Sequence, residues 1–292
     1  RLDILGLKMI ADPALPDLLP ERLFERLTTE RLGRVLCVRP ETVSTQEDLR
    51  RLSEQGLPDG TVVLADRQTG GRGRLGRRWE SPGGKGLYLS ALFRPSREAP
   101  SPEILPLAMA LAVRDTLSST GADVRVKWPN DLVIPWKDGR SFRKLAGILC
   151  ESVSSSGSIE TILVGIGINL AQESEDFSSD LRETAASLAM CPSATAVPSR
   201  EDLVLRLLSE MEKQGRMWES GAFRGILDAY RAVDMLQGRK VTVTTGNQVF
   251  EATAEGLTDR GNLRVRPDPA EASVELAAGE VTLRDSTGGN HT

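Results

Sequence analysis

The stretch GGRGRLGRRW, residues 70–79, constrains the fold of this chain more than any other. Gly71-x-Gly73-x-x-Gly76 spells the dinucleotide-binding fingerprint, and TVVLA (61–65) before it reads as a strand. That fingerprint works only where a helix follows, because the helix N-terminus receives the pyrophosphate. Here Arg78-Trp79-Glu80-Ser81 runs into Pro82, Gly83, Gly84 and Gly86, and GLYLSALF (86–93) returns as another strand. The acid expected about 20 residues on is missing, since that region reads LFRPSRE. A doubly wound dinucleotide fold is excluded. Lys85 is followed by Gly86 rather than Ser or Thr, which removes a P-loop as well. What remains is a strand–loop–strand unit presenting Arg72, Arg74, Arg77 and Arg78 between glycines, with Trp79 as a flat apolar face. Guanidinium forks match carboxylate and phosphate oxygens. The loop therefore reads as a lid over an anionic ligand, disordered without it. A solvated basic turn is the plain alternative.

The rest of the chain reads as α+β, with hairpin-like strand runs rather than regular βαβ alternation. Residues 21–32 have helical periodicity after a Pro-rich start, and VLCVR (35–39) is a strand. Ser44-Thr45-Gln46-Glu47 opens a helix with a capping-box pattern. A helix begins at Ser101-Pro102-Glu103 and stops at Gly121. Strands follow at 124–128, 147–153 and 160–170, the last two joined by a Ser/Gly turn. Two helices cover 199–215 and 217–232. From residue 239 short strands split by GN and DRGN turns predict a small β-barrel.

Charge and composition prune the chemistry. Lys and Arg number 37 against 41 Asp and Glu, so a chain-wide nucleic-acid coat is excluded and basic sites are local. No apolar run has the roughly 20 residues of a membrane helix. Cys37, Cys150 and Cys191 are scattered with no CxxC, which points to a reduced, cytoplasmic protein. The single histidine, His291, lies in the tail, so Ser-His-Asp, Cys-His and His-based metal sites are excluded from the fold.

Three further stretches carry candidate chemistry. KWPNDLV (127–133) presents a cation, an amide and a carboxylate: Lys127, Asn130 and Asp131. Pro129 keeps them at a strand edge or loop. They suit phosphate, magnesium and an incoming amine, or simply a turn satisfying its own backbone. KLAGILCES (144–152) puts Lys144 just before a buried strand, with Gly147 allowing close approach. VGIGINL (164–170) breaks an apolar strand at Gly165 and Gly167, where a ligand or another backbone comes close, and ends on Asn169.

GRGRLGRRW, KWPNDLV, KLAGIL and GIGIN, in that order, resemble the catalytic domain of biotin protein ligases, and GNLRV…GEVTLR (261–284) resembles their C-terminal domain. Lipoate ligases share the catalytic fold but lack the Arg/Gly loop. The resemblance implies an N-terminal helical extension (1–34), a mixed-sheet catalytic domain (35–236), an SH3-like barrel (237–286) and a tail (287–292). It implies activation of biotin by ATP and magnesium to biotinyl-5′-AMP, then transfer to a lysine of a biotin carboxyl carrier protein. It places Ser44, Thr45, Gln68, Gly71, Arg72, Arg74, Lys144 and Gly147 at biotin. It places Arg72, Arg77, Trp79, Lys127, Asn130 and Asn169 at the nucleotide. Lys144, Arg74, Lys127 and Asp131 become the catalytic set, with magnesium carried by ATP and Asp131 its nearest carboxylate. The family usually has Ser-Thr-Asn where this chain has Ser44-Thr45-Gln46, which leaves Gln46 without an assigned role. Residues 1–34 are too few for a winged helix-turn-helix, so neither DNA nor a membrane is expected as partner. A homodimer is compatible with the resemblance.

Overall fold

The computed structural model describes residues 18–95, 101–137, 141–155, 158–269, 272–284 and 290–291. The expectations for residues 1–17 lie outside them, as does most of the expected 287–292 tail. In chain order the elements are α1 (Pro20–Arg26), β1 (Leu36–Thr42), α2 (Thr45–Glu54), β2 (Val62–Gln68), β3 (Gly86–Phe93), α3 (Leu105–Ser118), β4 (Arg125–Lys127), β5 (Asp131–Pro135), β6 (Phe142–Ser155) and β7 (Ser158–Asn169). Then come α4 (Arg200–Glu219), α5 (Phe223–Arg231), β8 (Lys240–Thr245), β9 (Gln248–Leu257), β10 (Leu263–Pro267), β11 (Val274–Leu276), β12 (Glu280–Arg284) and β13 (Asn290–His291).

Seven strands form a mixed sheet in the order β1-β2-β3-β7-β6-β5-β4. Only the β1–β2 pair is parallel. α3 is apolar nearly all round because it is sandwiched: Leu105, Ala108, Ala112 and Leu117 are all fully buried in the core it shares with the sheet and α4. The remaining strands form a second, antiparallel sheet in the order β11-β10-β9-β8-β12-β13. Its β9–β10 turn docks on the first body. Trp128 Nε1 donates to Gly261 O at 3.2 Å, and the Arg231 guanidinium donates to Leu257 O.

Several boundaries differ from the sequence reading. The first helix stops at Arg26, not at Leu32. Beyond it the buried Glu212 carboxylate of α4 accepts from the backbone N–H groups of Glu30, Arg31 and Leu32 at 2.8, 2.9 and 2.9 Å. An ionised acceptor of that strength competes with helical pairing. α4 continues through Gly215, which lets the Phe93 ring approach closely; a Cβ there would lie 3.0 Å from Phe93 Cε1. DLVIP forms a strand that the reading left out, because Pro129 sits in the turn before it rather than in the ladder.

Residues 233–235 extend the sheet beyond β4: Val126 N donates to Val233 O at 3.1 Å and Met235 N to Val126 O at 2.9 Å. This buries Asp234. Its side chain accepts from Leu236 N at 3.0 Å, while Oδ2 is buried without a partner. Burial pushes this carboxyl up to about 6. A raised acid binds its proton more tightly folded than unfolded, so stability falls as pH rises through this window and then levels. Asp234→Asn should therefore raise stability by roughly 2–3 kcal/mol near neutral pH. It should change little near pH 4, where the wild-type carboxyl is protonated. Urea midpoints at the two pH values check this; an equal effect at both would reject the assignment.

Candidate active site

The site is built on alternation in β7. Ile162, Val164, Ile166 and Ile168 face the core under the helices. Gly165 and Gly167 therefore face the other side, where a cleft of about 710 Å³ opens. Gly147 of β6 pairs directly with Gly167. The close approach expected at these glycines is made by side chains. A Cβ on Gly167 would lie 2.4 Å from Trp79 Cε2, and one on Gly165 2.6 Å from Gln46 Oε1. The Trp79 indole thus lies flat on a glycine floor.

Lys144 lies inside β6, not before the strand as its sequence position suggested. Lys144 and Gly147 are three residues apart, so a regular strand would send them to opposite faces. A bulge corrects this: Leu132 pairs with Ala146, but Val133 pairs with Lys144, leaving Leu145 as the extra residue. Lys144 Nζ then sits 3.4 Å from where a Gly147 Cβ would be. It forms an ion pair with Asp131 Oδ1 at 2.6 Å and stands 5.4 Å from the Trp79 ring centre. The backbone is held from its other side too, by Lys144 N to Thr184 O (2.8 Å) and Ala186 N to Lys144 O (2.9 Å).

One end of the cleft is a network of neutral polar side chains. Thr45 N donates to Gln68 Oε1 at 2.9 Å, and Gln68 Nε2 donates to Ser81 Oγ at 2.9 Å. Thr45 Oγ1 lies 2.8 Å from Ser90 Oγ, which donates to Gln46 Oε1 at 3.0 Å. Gln46 Nε2 donates to Leu163 O at 3.1 Å. Ser81, Ser90 and Gln46 had no role in the sequence reading. Ser90 carried a signal: it is the one polar residue among the apolar ones of GLYLSALF. Ser44 is the N-terminal flank of α2 but makes no capping bond with its side chain. The capping box fails because Glu47 pairs with Arg72 instead.

The Arg/Gly loop folds back as a hairpin. Gly73 N donates to Arg77 O at 2.7 Å and Trp79 N to Gly71 O at 2.9 Å. Gly71 is required by packing, since a Cβ would meet Trp79 O at 2.5 Å. Gly76 is required by its turn, with φ +74° next to Leu75 at 55°. The glycine spacing that imitates a dinucleotide fingerprint is thus the spacing of a tight hairpin. Its arginines reach the second sheet, a contact the sequence did not reveal. Arg77 pairs with Glu280 at 2.7 Å, and Arg74 Nη1 reaches Asn130 Oδ1 at 3.3 Å and Gly279 O at 3.5 Å.

The other expected residues also meet here. Lys127, Asn130, Asp131 and Asn169 line the cleft, as do Arg72, Arg74, Arg77 and Trp79. Gly71, expected at biotin, is not among the residues lining the cleft. Burial pulls the Lys127 ammonium below its ordinary pKa; Asp131 opposes this and Lys144 adds to it. Asn130 Nδ2 donates to Ile148 O at 2.6 Å, which fixes the side chain. Asn169 is tied up further: Nδ2 donates to Ala186 O and Oδ1 accepts from Gln172, leaving one N–H for a ligand. Among the described residues no group of three or more His, Cys, Asp or Glu could hold a metal.

The cleft thus gathers the cations Arg74, Lys127 and Lys144, keeps a polar end at Thr45 and Gln68, and is roofed by a hairpin and edged by a small second sheet. Residues 38–169 match the biotin/lipoate A/B protein ligase family and residues 237–284 match the biotin protein ligase C terminal domain. The biotin–[acetyl-CoA-carboxylase] ligase of Mycobacterium tuberculosis is 31% identical over 256 residues, 85% of this chain and 88% of the relative. The bifunctional ligase/repressor BirA of Bacillus subtilis is 32% identical over 238 residues, 81% of this chain and 71% of the relative. Among solved structures, the biotin protein ligase from Aquifex aeolicus in complex with biotin and ATP superposes with a TM-score of 0.71. It is 30% identical, and the match covers 87% of this chain and 100% of that one. The chain belongs to the biotin protein ligase family.

Proposed function

We propose that this chain activates biotin with ATP and transfers it to a lysine of a biotin carboxyl carrier protein. In the first step a biotin carboxylate oxygen attacks the α-phosphorus, pyrophosphate leaves, and biotinyl-5′-AMP stays bound. In the second the neutral ε-amine of the carrier lysine attacks the acyl carbon. A C–N bond forms, AMP departs, and the amine loses its proton. The observation that carries this reading is one cleft holding both the Thr45–Gln68 polar end and the cations Arg74, Lys127 and Lys144. Adenylation needs positive charge where negative charge develops, and the nucleophile of the second step comes from the partner.

On this reading Thr45 and Gln68 bind the ureido ring, with Ser44 behind them. Gly147 leaves room for the valeryl chain. Lys144 bridges the carboxylate and the α-phosphate, Arg72 and Arg74 close over them, and Lys127 and Arg77 meet phosphates. Trp79 walls the adenylate, and Asn169 offers its one N–H to the base. Asp131 is the carboxylate paired with Lys144, and among the described residues no three potential ligands gather, which suits a magnesium held by the phosphates of ATP rather than by a protein cage. When bound, that ion neutralises phosphate charge. No described helix is long and apolar enough to cross a membrane. The three cysteines are free, which supports a cytoplasmic placement. We expect no DNA-binding role for the described residues.

Pyrophosphate release with ATP plus biotin, compared with ATP plus lipoate, tests the reading. Biotin-dependent release is expected, with little from lipoate. Release driven by lipoate instead would make this a lipoate ligase. No release with either, despite biotin binding, would make it a biotin-responsive regulator.

A further inference from the structure

The two most exposed large apolar side chains among the described residues are Leu75, at 73%, and Val249, at 67%. Leu75 forms the tip of the Arg/Gly hairpin, where φ is 55° and ψ 31°. That left-handed conformation is strained for a leucine and free for a glycine. A leucine that is both strained and bare to solvent does little for the free chain, and such outliers point to function. Register brings Val249 to the same rim. Val281 of β12, Val243 of β8 and Ala252 of β9 are buried, so alternation sends Glu280, Thr244 and Val249 to the opposite face. Glu280 pairs with Thr244 and Thr244 with Val249, so the three side chains stand in one row across the second sheet. The hairpin abuts one end of that row: Arg77 pairs with Glu280 at 2.7 Å, and Arg74 Nη1 reaches Gly279 O at 3.5 Å. Val249 stands two strands further along, roughly 10 Å away. Glu280 and Thr282 also line the cleft, so this face runs without a break into the cleft mouth.

We propose that Leu75 and Val249 are the apolar contacts of a docking surface for the carrier domain, a surface that runs from the hairpin tip across the outer face of the second sheet. The proposal rests on the proposed function, in which the nucleophile is a lysine of a partner. That amine must arrive beside Lys144 and Arg74, so the carrier backbone stops within one lysine side chain of the cleft mouth. Its surface then spreads over whatever forms the rim, and Arg74 is itself bonded to the rim at Gly279. The partner that fits is a carrier face with small apolar patches flanking its lysine. Burial of the Leu75 side chain in that complex gives the strained turn its use.

The test compares wild type with Leu75→Asn, Val249→Thr and the double variant, with an unbiotinylated biotin carboxyl carrier domain as acceptor. Asn accepts the left-handed turn and Thr keeps the strand preference of Val, so hairpin and sheet stay in place. KM for the carrier should rise roughly tenfold in Leu75→Asn and less in Val249→Thr, as for apolar side chains lost from an interface. The two effects should multiply in the double variant. Turnover at saturating carrier, biotin-dependent pyrophosphate release and transfer to hydroxylamine, which needs no docking, should all stay at wild-type rates. An unchanged carrier KM in the double variant would overturn the proposal. So would an equal loss of transfer to hydroxylamine, which would make Leu75 part of the lid alone. An effect of Leu75→Asn without any from Val249→Thr would overturn the part assigned to the second sheet. Self-association of wild type that the double variant abolishes, with carrier KM unchanged, would give the face to a second copy of this chain instead. Wild type that releases no pyrophosphate with biotin, or passes none of it to the carrier, would count against the proposed function.

Discussion

Lys144→Ala is expected to reduce biotin-dependent pyrophosphate release by at least roughly a thousandfold, at the upper end of what removing one charge-stabilising donor costs. The protein should nevertheless remain folded. Lys144 holds its place in the sheet through backbone bonds to Thr184 and Ala186, which alanine keeps. Its side chain is 37% exposed, and its main partner, Asp131, can rehydrate at the cleft. No other ammonium can take over: Lys127 is its only lysine neighbour in the cleft, and burial has already lowered that group's pKa. Lys144→Arg should recover only part of the rate, because a planar fork cannot place its charge where a compact ammonium stands above Trp79. Single-turnover assays with circular dichroism as a fold control would show this. Release near the wild-type rate in Lys144→Ala would remove Lys144 from the chemistry.

The parts of this site that were legible in the sequence are those carried by local pattern. The Arg/Gly loop and the interrupted strand VGIGINL each break a rule of ordinary structure, Lys144 stood out only through the family resemblance, and all three meet at the cleft. What stayed hidden was produced by register and by distant packing. Nothing in KLAGIL announces that a bulge at Leu145 turns Lys144 and Gly147 to one face, because the bulge exists only in the pairing with β5. Nothing in the loop announces Glu280, which lies 203 positions from Arg77 in sequence. Gln46 was the reverse case. The sequence marked it as a departure, and only the contacts with Ser90 and Leu163 gave that departure a physical content. The Ser44–Glu47 capping pattern was correct as a helix start, yet the arginine of another loop outcompeted it.

Gly167→Ala is the second change expected to have a large effect, and it reaches the chemistry without touching a charge. The new methyl would lie 2.4 Å from Trp79 Cε2 and 2.5 Å from Nε1, far inside contact distance. The strand cannot recede, because Gly167 is paired on both sides, with Tyr88 of β3 and Gly147 of β6. Trp79 must move instead. Its backbone is clipped to Gly71, so the hairpin bearing Arg72, Arg74 and Arg77 moves with it. Overpacking of this kind costs about 1–3 kcal/mol of stability, but misplacing the reacting groups by about 1 Å costs on the order of a hundredfold in rate. Activity should therefore fall much further than stability. Gly147→Ala is a graded comparison: its methyl would lie 3.2 Å from both Trp79 Cζ3 and Lys144 Cε, so a small shift accommodates it and the loss should be mild. Combining Gly167→Ala with Trp79→Ala removes the clash, and the double variant should be no worse than Trp79→Ala alone. Pyrophosphate release and urea midpoints for the four variants decide the matter. Gly167→Ala with near wild-type release, or losses that simply add in the double variant, would show that the indole does not rest on this floor during turnover.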